Sequence, residues 1–434
     1  MRRAAALVVV VSAVALAAAC GSADRPALPT ARALPDTICG PITYGGEGAP
    51  ELLIANSGPL QGPQTDHGIQ NAQATKMVLA QRGWRAGSFT VGVQVCDEAS
   101  AATTAPSPEK CRRNARAFVD DPSVVAVLGP VTSVCAHAML PITNRAPGGP
   151  LGIISMSNTY LGLTRGGPGV VQGDPDGLYP TGERSFVRLA PDDDLQGAAA
   201  ALYAQRLGVR RAYVLHHDGF WGTGVATAFR TAALRLGLKV AGMQQWSGRA
   251  HDYRHLAQRV RRSGANGVYL GGLAVADNGG RLIKDLRAAL GPGVPILAPD
   301  GFNEPAALVE AAGLATEGVV ITIAAIPTAK LPPAGARFAR EFEQRTGALP
   351  CCYSVYTAQA THVLLNAIAH SDGTRAGVLR NLFRTRVRDG LLGDFAIDRY
   401  GDTTLTQVAV YRIHGARLRL ATTISPSTDL LDRR

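Results

Sequence analysis
Short continuous apolar runs alternate with longer amphipathic stretches along most of the chain. The runs read as strands at 52–55, 90–95, 124–128, 151–155, 186–189, 211–215, 240–244, 267–270, 296–298 and 319–323. Between them, helical periodicity covers 69–81, 109–120, 133–144, 195–207, 225–236, 253–263, 281–290 and 305–312. Strands that are apolar throughout, rather than alternating, are buried on both faces, and that requires parallel sheets with helices above and below. The rhythm changes near residue 334. Three helical stretches, 334–346, 355–369 and 376–386, follow one another with no strand between, and strand-like segments at 394–397 and 407–413 come after them. The pattern predicts an α/β chain that returns to cover an earlier lobe before ending in a hairpin.

Two segments resemble each other across the halves. Val124–Val131 is a strand running into Gly-Pro, and Gly267–Leu273 is a strand running into Gly-Gly. Each puts a loop at the carboxyl end of a parallel strand, where open α/β sheets bind ligands. Two doubly wound lobes facing each other would form a cleft walled by such loops.

The N-terminus changes the picture of where the chain works. Arg2 and Arg3 precede an uncharged stretch from Ala4 to Ala19, and Cys20 follows it at once. This is the layout of a secretory signal. Ala17, Ala18 and Ala19 before Cys20, with Gly21 and Ser22 after it, resemble a bacterial lipoprotein cleavage site, although Leu is usual where Ala17 stands. The resemblance implies lipidation of Cys20 and an extracytoplasmic protein anchored to the membrane. Residues 21–36 are rich in Ala, Pro, Ser and Arg and read as a tether. About 390 of the 434 residues remain beyond it, more than one core usually serves. The net charge of +11 does not point to nucleic acid in an exported chain with scattered arginines; a solvated surface near an anionic membrane accounts for it.

Six cysteines lie beyond Cys20: Cys39, Cys96, Cys111, Cys135, Cys351 and Cys352. Export permits disulfides, and six cysteines allow fifteen pairings. A Cys96–Cys111 bridge is expected, because a Pro-containing loop joins a strand end to the next helix. Cys135 is the competing partner, and Cys351–Cys352 is either a vicinal bridge or a packed pair. No spacing suggests a zinc site.

Several ordered blocks resemble the type I periplasmic binding proteins of the leucine/isoleucine/valine-binding branch. They are Ser57-Gly58-Pro59, Leu128-Gly129-Pro130 with Pro141-Ile142, Asp193-Asp194-Leu195-Gln196-Gly197, Phe220-Trp221-Gly222-Thr223-Gly224, Gly271-Gly272, Pro299-Asp300-Gly301, Glu317-Gly318 and Gly393-Asp394. The resemblance covers roughly residues 50–420. It implies two lobes joined by three crossing segments, near 190–193, 323–327 and 394–398. The division expected is 1–19 signal, 20–49 lipidated Cys, tether and extension, 50–191 with 328–394 as one lobe, and 192–327 with 395–423 as the other. It further implies a monomeric substrate-binding subunit, without cofactor, that hands a small amino-acid-like ligand to ABC permease and ATPase subunits by hinge closure.

A zwitterionic ligand needs donors for its carboxylate and anions for its ammonium. Ser133, expected at a helix N-cap after the Gly-Pro loop, suits a carboxylate. Ser157 and Thr159 follow the next strand, and the family places a hydroxyl at the position matching Thr159. Asp193 and Asp300 match its crossover and strand-end acids. Trp221 is the candidate apolar wall. Leu273 stands where the branched-chain binders have Tyr, and Cys351 lies close to an aromatic position, so the ligand can differ in size or polarity. Plain structural alternatives are a cap for Ser133 or Asp193 and an Asp-Gly turn for Asp300.

A sensor for an amide or small carboxylate is the alternative, and a secreted hydrolase a weaker one. Ser107-Pro108-Glu109-Lys110 has the S-x-x-K form but lacks its partner motifs. His251 and His255 lack the Glu of a zinc helix, and His216-His217-Asp218 is a weak metal signal. The chain is therefore expected to bind and not to catalyse.

Overall fold
The computed structural model describes residues 30–101, 105–351 and 353–432. The signal, Cys20 and Cys352 lie outside the described residues. No helix among those described is long and apolar enough to cross a membrane.

The first half contains β1 (Cys39–Thr43), β2 (Leu52–Gly58), α1 (Thr65–Gln81), β3 (Arg85–Ala86), β4 (Phe89–Asp97), α2 (Pro108–Asp120), β5 (Val124–Leu128), α3 (Ser133–Thr143), β6 (Gly152–Ser155) and β7 (Phe186–Arg188). Its sheet has the order β1-β4-β2-β5-β6-β7, with β3 also on β4. Strands β4, β2, β5, β6 and β7 run parallel, while β1 and β3 lie antiparallel to β4. Every residue of β2 and β5 is buried, as the unbroken apolar runs require.

The second half follows with α4 (Asp193–Arg206), β8 (Arg211–His217), α5 (Phe220–Arg235), β9 (Lys239–Trp246), α6 (Arg254–Arg262), β10 (Gly267–Gly271), α7 (Gly279–Leu290), β11 (Ile296–Ala298), α8 (Pro305–Ala312) and β12 (Val320–Ile323). Then come α9 (Pro333–Thr346), α10 (Ser354–Ala369), α11 (Arg375–Phe383), the hairpin β13 (Arg386–Gly390) and β14 (Gly393–Ala396), β15 (Val408–His414) and β16 (Arg417–Ile424). The second sheet has the order β16-β15-β12-β11-β10-β8-β9. Helix α10 packs on α1, β5 and β6, so the consecutive helices do return to the first half. The chain thus passes between the sheets after β7, after β12 and again before β15.

Local chemistry sets the helix starts. Ser107 caps α2, and Pro108 occupies the first turn, where a missing N–H costs nothing. Asp192 caps α4 by accepting from Leu195 N at 3.2 Å. The ending differs from the expected single hairpin: β14 pairs with β13 and β15 with β16. The half-exposed alternation in β16 hides it from a search for buried runs. Strand β1 was also unread, because Gly40 and Pro41 interrupt its apolar pattern.

That omission explains a correction. The expected Cys96–Cys111 bridge is absent; the disulfides are Cys39–Cys96 and Cys111–Cys135. Strand β1 places Cys39 directly opposite Cys96 on β4, with Cα atoms 3.9 Å apart. Helices α2 and α3 lie side by side and bring Cys111 to Cys135 at a Cα separation of 5.4 Å.

A buried charge cluster braces the passages. Arg188 is 0 % exposed and donates to Asp402 at 2.9 Å, to the Tyr160 carbonyl at 2.8 Å and to the Thr164 hydroxyl at 2.6 Å. Arg165 binds Asp402 at 2.6 Å and also pairs with Asp398. The end of β7, the loop after β6 and the last passage are thereby held together.

Candidate functional site
Two close approaches bring the strand-end loops into place. Gly129 has φ +115°, and a Cβ there would lie 2.3 Å from the Ser57 carbonyl oxygen, so the end of β2 and the loop after β5 touch only because it is glycine. In the second half, a Cβ on Gly222 would lie 2.8 Å from the Gly271 oxygen, which seats the first turn of α5 against the end of β10.

In the first half, the N-cap of α3 is Thr132, which accepts from Cys135 N at 3.4 Å, and not Ser133 as expected. Ser133 is the first helical residue. Its hydroxyl oxygen accepts from Thr159 N at 3.2 Å and Tyr160 N at 3.3 Å, which leaves its own proton to donate. Ser157 donates to the Val131 carbonyl at 2.8 Å and ties the loops after β5 and β6. Behind them, Glu98 is fully buried and accepts from Val131 N at 3.2 Å and the Ser57 hydroxyl at 3.4 Å. Burial pushes its carboxyl up to about 7 against these hydrogen bonds.

Side-chain contacts join the halves. Trp221 Nε1 donates to Thr159 Oγ1 at 3.0 Å, and Tyr353 Oη donates to Asp300 Oδ2 at 2.7 Å. Phe220 packs against Tyr160 and His137 with ring centroids 4.6 and 4.8 Å away. Trp221 and Leu273 both lean on Gly301, where a Cβ would meet them at 2.7 and 2.8 Å, beside Asp300.

Asp193 stands at the centre of this arrangement. Asp192 takes the capping role, so the Asp193 carboxylate is left to the site. Its N–H donates to the Thr159 carbonyl at 2.8 Å, but neither carboxylate oxygen has a hydrogen-bond partner among the described residues. Asp193 is 1 % exposed. Burial raises its pKa well above the usual carboxylate range and the charge of Asp300 raises it further, while the nearby Thr159 hydroxyl and Arg188 oppose the shift. Asp300 is raised by burial too, against hydrogen bonds from Tyr353 and Gln196, and its Oδ1 has no partner among the described residues.

The structure therefore gathers Ser133, Thr159, Asp193, Trp221, Leu273 and Asp300 where the halves meet, with Ser157 supporting the loops. Two buried carboxyl groups lie beside hydroxyl groups where the halves meet, an arrangement suited to a small molecule with separated positive and negative ends. Tyr353 and Tyr160 escaped the sequence reading, and Phe220 was read only as part of the block around Trp221. Tyr353 sits in an irregular turn with no periodic signal. Arg188 had one: an arginine ending a strand that is otherwise apolar.

Comparison with known proteins agrees with this fold. The periplasmic binding protein family model matches residues 51–417. An amino acid binding protein of Pseudomonas aeruginosa is 24% identical over 83% of this chain and 90% of its own. A Leu/Ile/Val-binding protein homolog of Brucella suis is 24% identical over 86% and 92%. Among solved structures, the leucine-binding protein of Thermotoga maritima aligns with TM-score 0.72 and 22% identity, over 86% of this chain and 99% of that one. A solute-binding protein of R. palustris in complex with benzoate aligns with TM-score 0.67 and 16% identity, over 86% and 96%.

Proposed function
The chain belongs to the periplasmic binding protein family, and we propose that it captures a branched-chain or related amino acid for an ABC importer by closing its two halves on the ligand. The observation that carries this reading is the pair Asp193 and Asp300, both buried, Asp193 beside the Thr159 hydroxyl, with carboxylate oxygens that have no hydrogen-bond partner among the described residues. The carboxylates hold the ligand ammonium. The hydroxyls of Ser133 and Thr159, with the first N–H groups of α3, hold its carboxylate. Trp221 and Leu273 form the apolar wall, and Ser157 keeps the loops in register. The lobes are 50–191 with 328–394, to which β1 (Cys39–Thr43) adds an edge strand, and 192–327 with 395–423. A closed cleft without ligand would confine two like charges in a partly dry site, so the ligand cation favours closure.

The protein acts as a monomer outside the cytoplasm, anchored by lipid on Cys20, with permease and ATPase subunits as partners. The Cys20→Ser variant stays unprocessed or is released from membranes; an unmodified mature N-terminus elsewhere in the wild type, seen by mass spectrometry, counts against the anchor. No turnover is assigned to the chain. Ser107 is the cap of α2, and Lys110 Nζ is held by Asp97 at 2.7 Å.

Calorimetry with leucine, isoleucine and valine tests the ligand class. Asp193→Asn weakens binding about 10–100-fold, since a charge-assisted hydrogen bond contributes about 1.5–3 kcal/mol. Leucine is compared with 4-methylpentanoate, which lacks the amino group. If the two bind equally, the second reading replaces the first: a small-carboxylate binder or sensor, consistent with the likeness to the benzoate-bound protein.

A further inference from the structure
Tyr269 lies in β10, 0 % exposed, with its ring stacked on Phe229 at a centroid distance of 4.2 Å. Its hydroxyl has no hydrogen-bond partner among the described residues. The charges of Asp193 and Asp300 both bear on it. Both Asp193 oxygens and Asp300 Oδ1 share its lack of partners. Buried oxygens from α4, β10 and the loop after β11 thus lie within electrostatic reach of one another with hydrogen-bonding capacity unused, and such groups are costly unless something supplies partners.

The surrounding charges do not neutralise the cluster. Arg188 faces Asp193 but is bound to Asp402, and Asp192 adds negative charge. Facing Asp300 are the Tyr353 hydroxyl and the Gln196 amide, both neutral. Two desolvated neighbouring carboxylates do not both ionise without a cation.

We propose that Tyr269 is a further residue of the ligand site, and that the Asp193–Asp300 pair holds one proton when empty and exchanges it for the ligand ammonium. The carboxyl O–H bond breaks and its proton passes to water, while ammonium N–H groups donate to both carboxylates. One positive charge replaces another, so the charge of the cluster is unchanged. The Tyr269 hydroxyl serves as the donor that favours the ionised carboxylate. This rests on the ammonium reading above, and it adds that ligand capture releases a proton.

The test begins with ligand-free protein. Carbon-13 NMR of the aspartate carboxyls, assigned with Asp193→Asn and Asp300→Asn, is expected to show a titration well above the ordinary carboxylate range that moves back toward it in Asp300→Asn. Tyr269→Phe, which keeps the stacked ring, moves the wild-type midpoint upward. Ordinary midpoints for both carboxyls overturn the proposal, and an unmoved midpoint in Tyr269→Phe removes Tyr269 from the site. Calorimetry with L-leucine in buffers of different ionisation enthalpy is then expected to show proton release approaching one per ligand, reduced in Asp300→Asn. Leucine binding without proton release overturns the exchange. If leucine fails to bind while the high titration persists, the proton-holding pair stands and the amino-acid reading falls.

Discussion

The indole N–H of Trp221 donates to the hydroxyl of Thr159 at 3.0 Å, and the two residues come from opposite halves of the molecule. The bond runs from the first turn of α5 to the loop after β6. With the Tyr353–Asp300 bond and the Phe220 stack, it describes a closed arrangement whose contacts lie beside the unpaired carboxylates.

Trp221→Phe keeps an aromatic wall and removes that donor. With leucine bound, the variant is expected to close less fully, with a larger radius in small-angle scattering than the wild type. Affinity for leucine falls about 3–10-fold, the equivalent of one net hydrogen bond of roughly 1 kcal/mol. An unchanged radius and affinity would assign the contact no part in closure.

Glu98 gives a pH dependence of definite sign. Burial raises its carboxyl from 4.5 to about 7, so the folded chain keeps a proton that the unfolded chain has released. Its contribution to stability therefore falls as pH rises between those values and is level above about 7. Glu98→Gln lacks this titration. Urea denaturation across pH 4–8 should show the variant gaining on the wild type toward pH 8, by up to about 3 kcal/mol. A constant difference between the two proteins would refute the assignment.

Asp402→Asn strands the guanidinium of Arg188 in the interior. Breaking a buried pair from one side costs about 3–5 kcal/mol, and chemical denaturation reads it directly. Replacing both partners with apolar residues, Arg188→Met with Asp402→Leu, recovers part of that loss if the cost lies in the unpaired charge.

Peptide mapping without reduction should link Cys39 to Cys96 and Cys111 to Cys135. Cys111→Ser with Cys135→Ser removes a cross-link between residues 24 apart in sequence, a loss of at most about 3–4 kcal/mol in the entropic model. A melting temperature equal to the wild type would show that helix packing alone holds α2 to α3.

The alternation of strands and helices was readable because β2, β5 and β10 are buried along their whole length and leave unbroken apolar runs. Strand β1 was not, since its Gly and Pro break any such run and its place depends on a partner far along the chain. The same division holds where the halves meet. Asp193, Trp221 and Asp300 stand in blocks that resemble a known family, and Thr159 at a position where that family has a hydroxyl. Tyr353 takes its place from tertiary packing that no local pattern encodes, and Phe220 stands in such a block beside Trp221 without a pattern that marks its contact with Tyr160. Asp192, Asp193 and Asp194 were indistinguishable as helix caps until the hydrogen bond from Leu195 N identified Asp192.

Strand β1 has a consequence for how copies of the protein meet one another. A sheet edge offers unpaired backbone groups that can template pairing with a neighbouring chain. On this side of the first sheet the outermost strand is β1, fastened to β4 by Cys39–Cys96, with Pro41 in its middle. Proline contributes no N–H to a ladder, so a strand arriving from another molecule finds an interrupted surface. The oxidised protein therefore carries a covalently fixed guard along its longest parallel strand, and resistance to edge-to-edge aggregation at high local density is a property of its redox state.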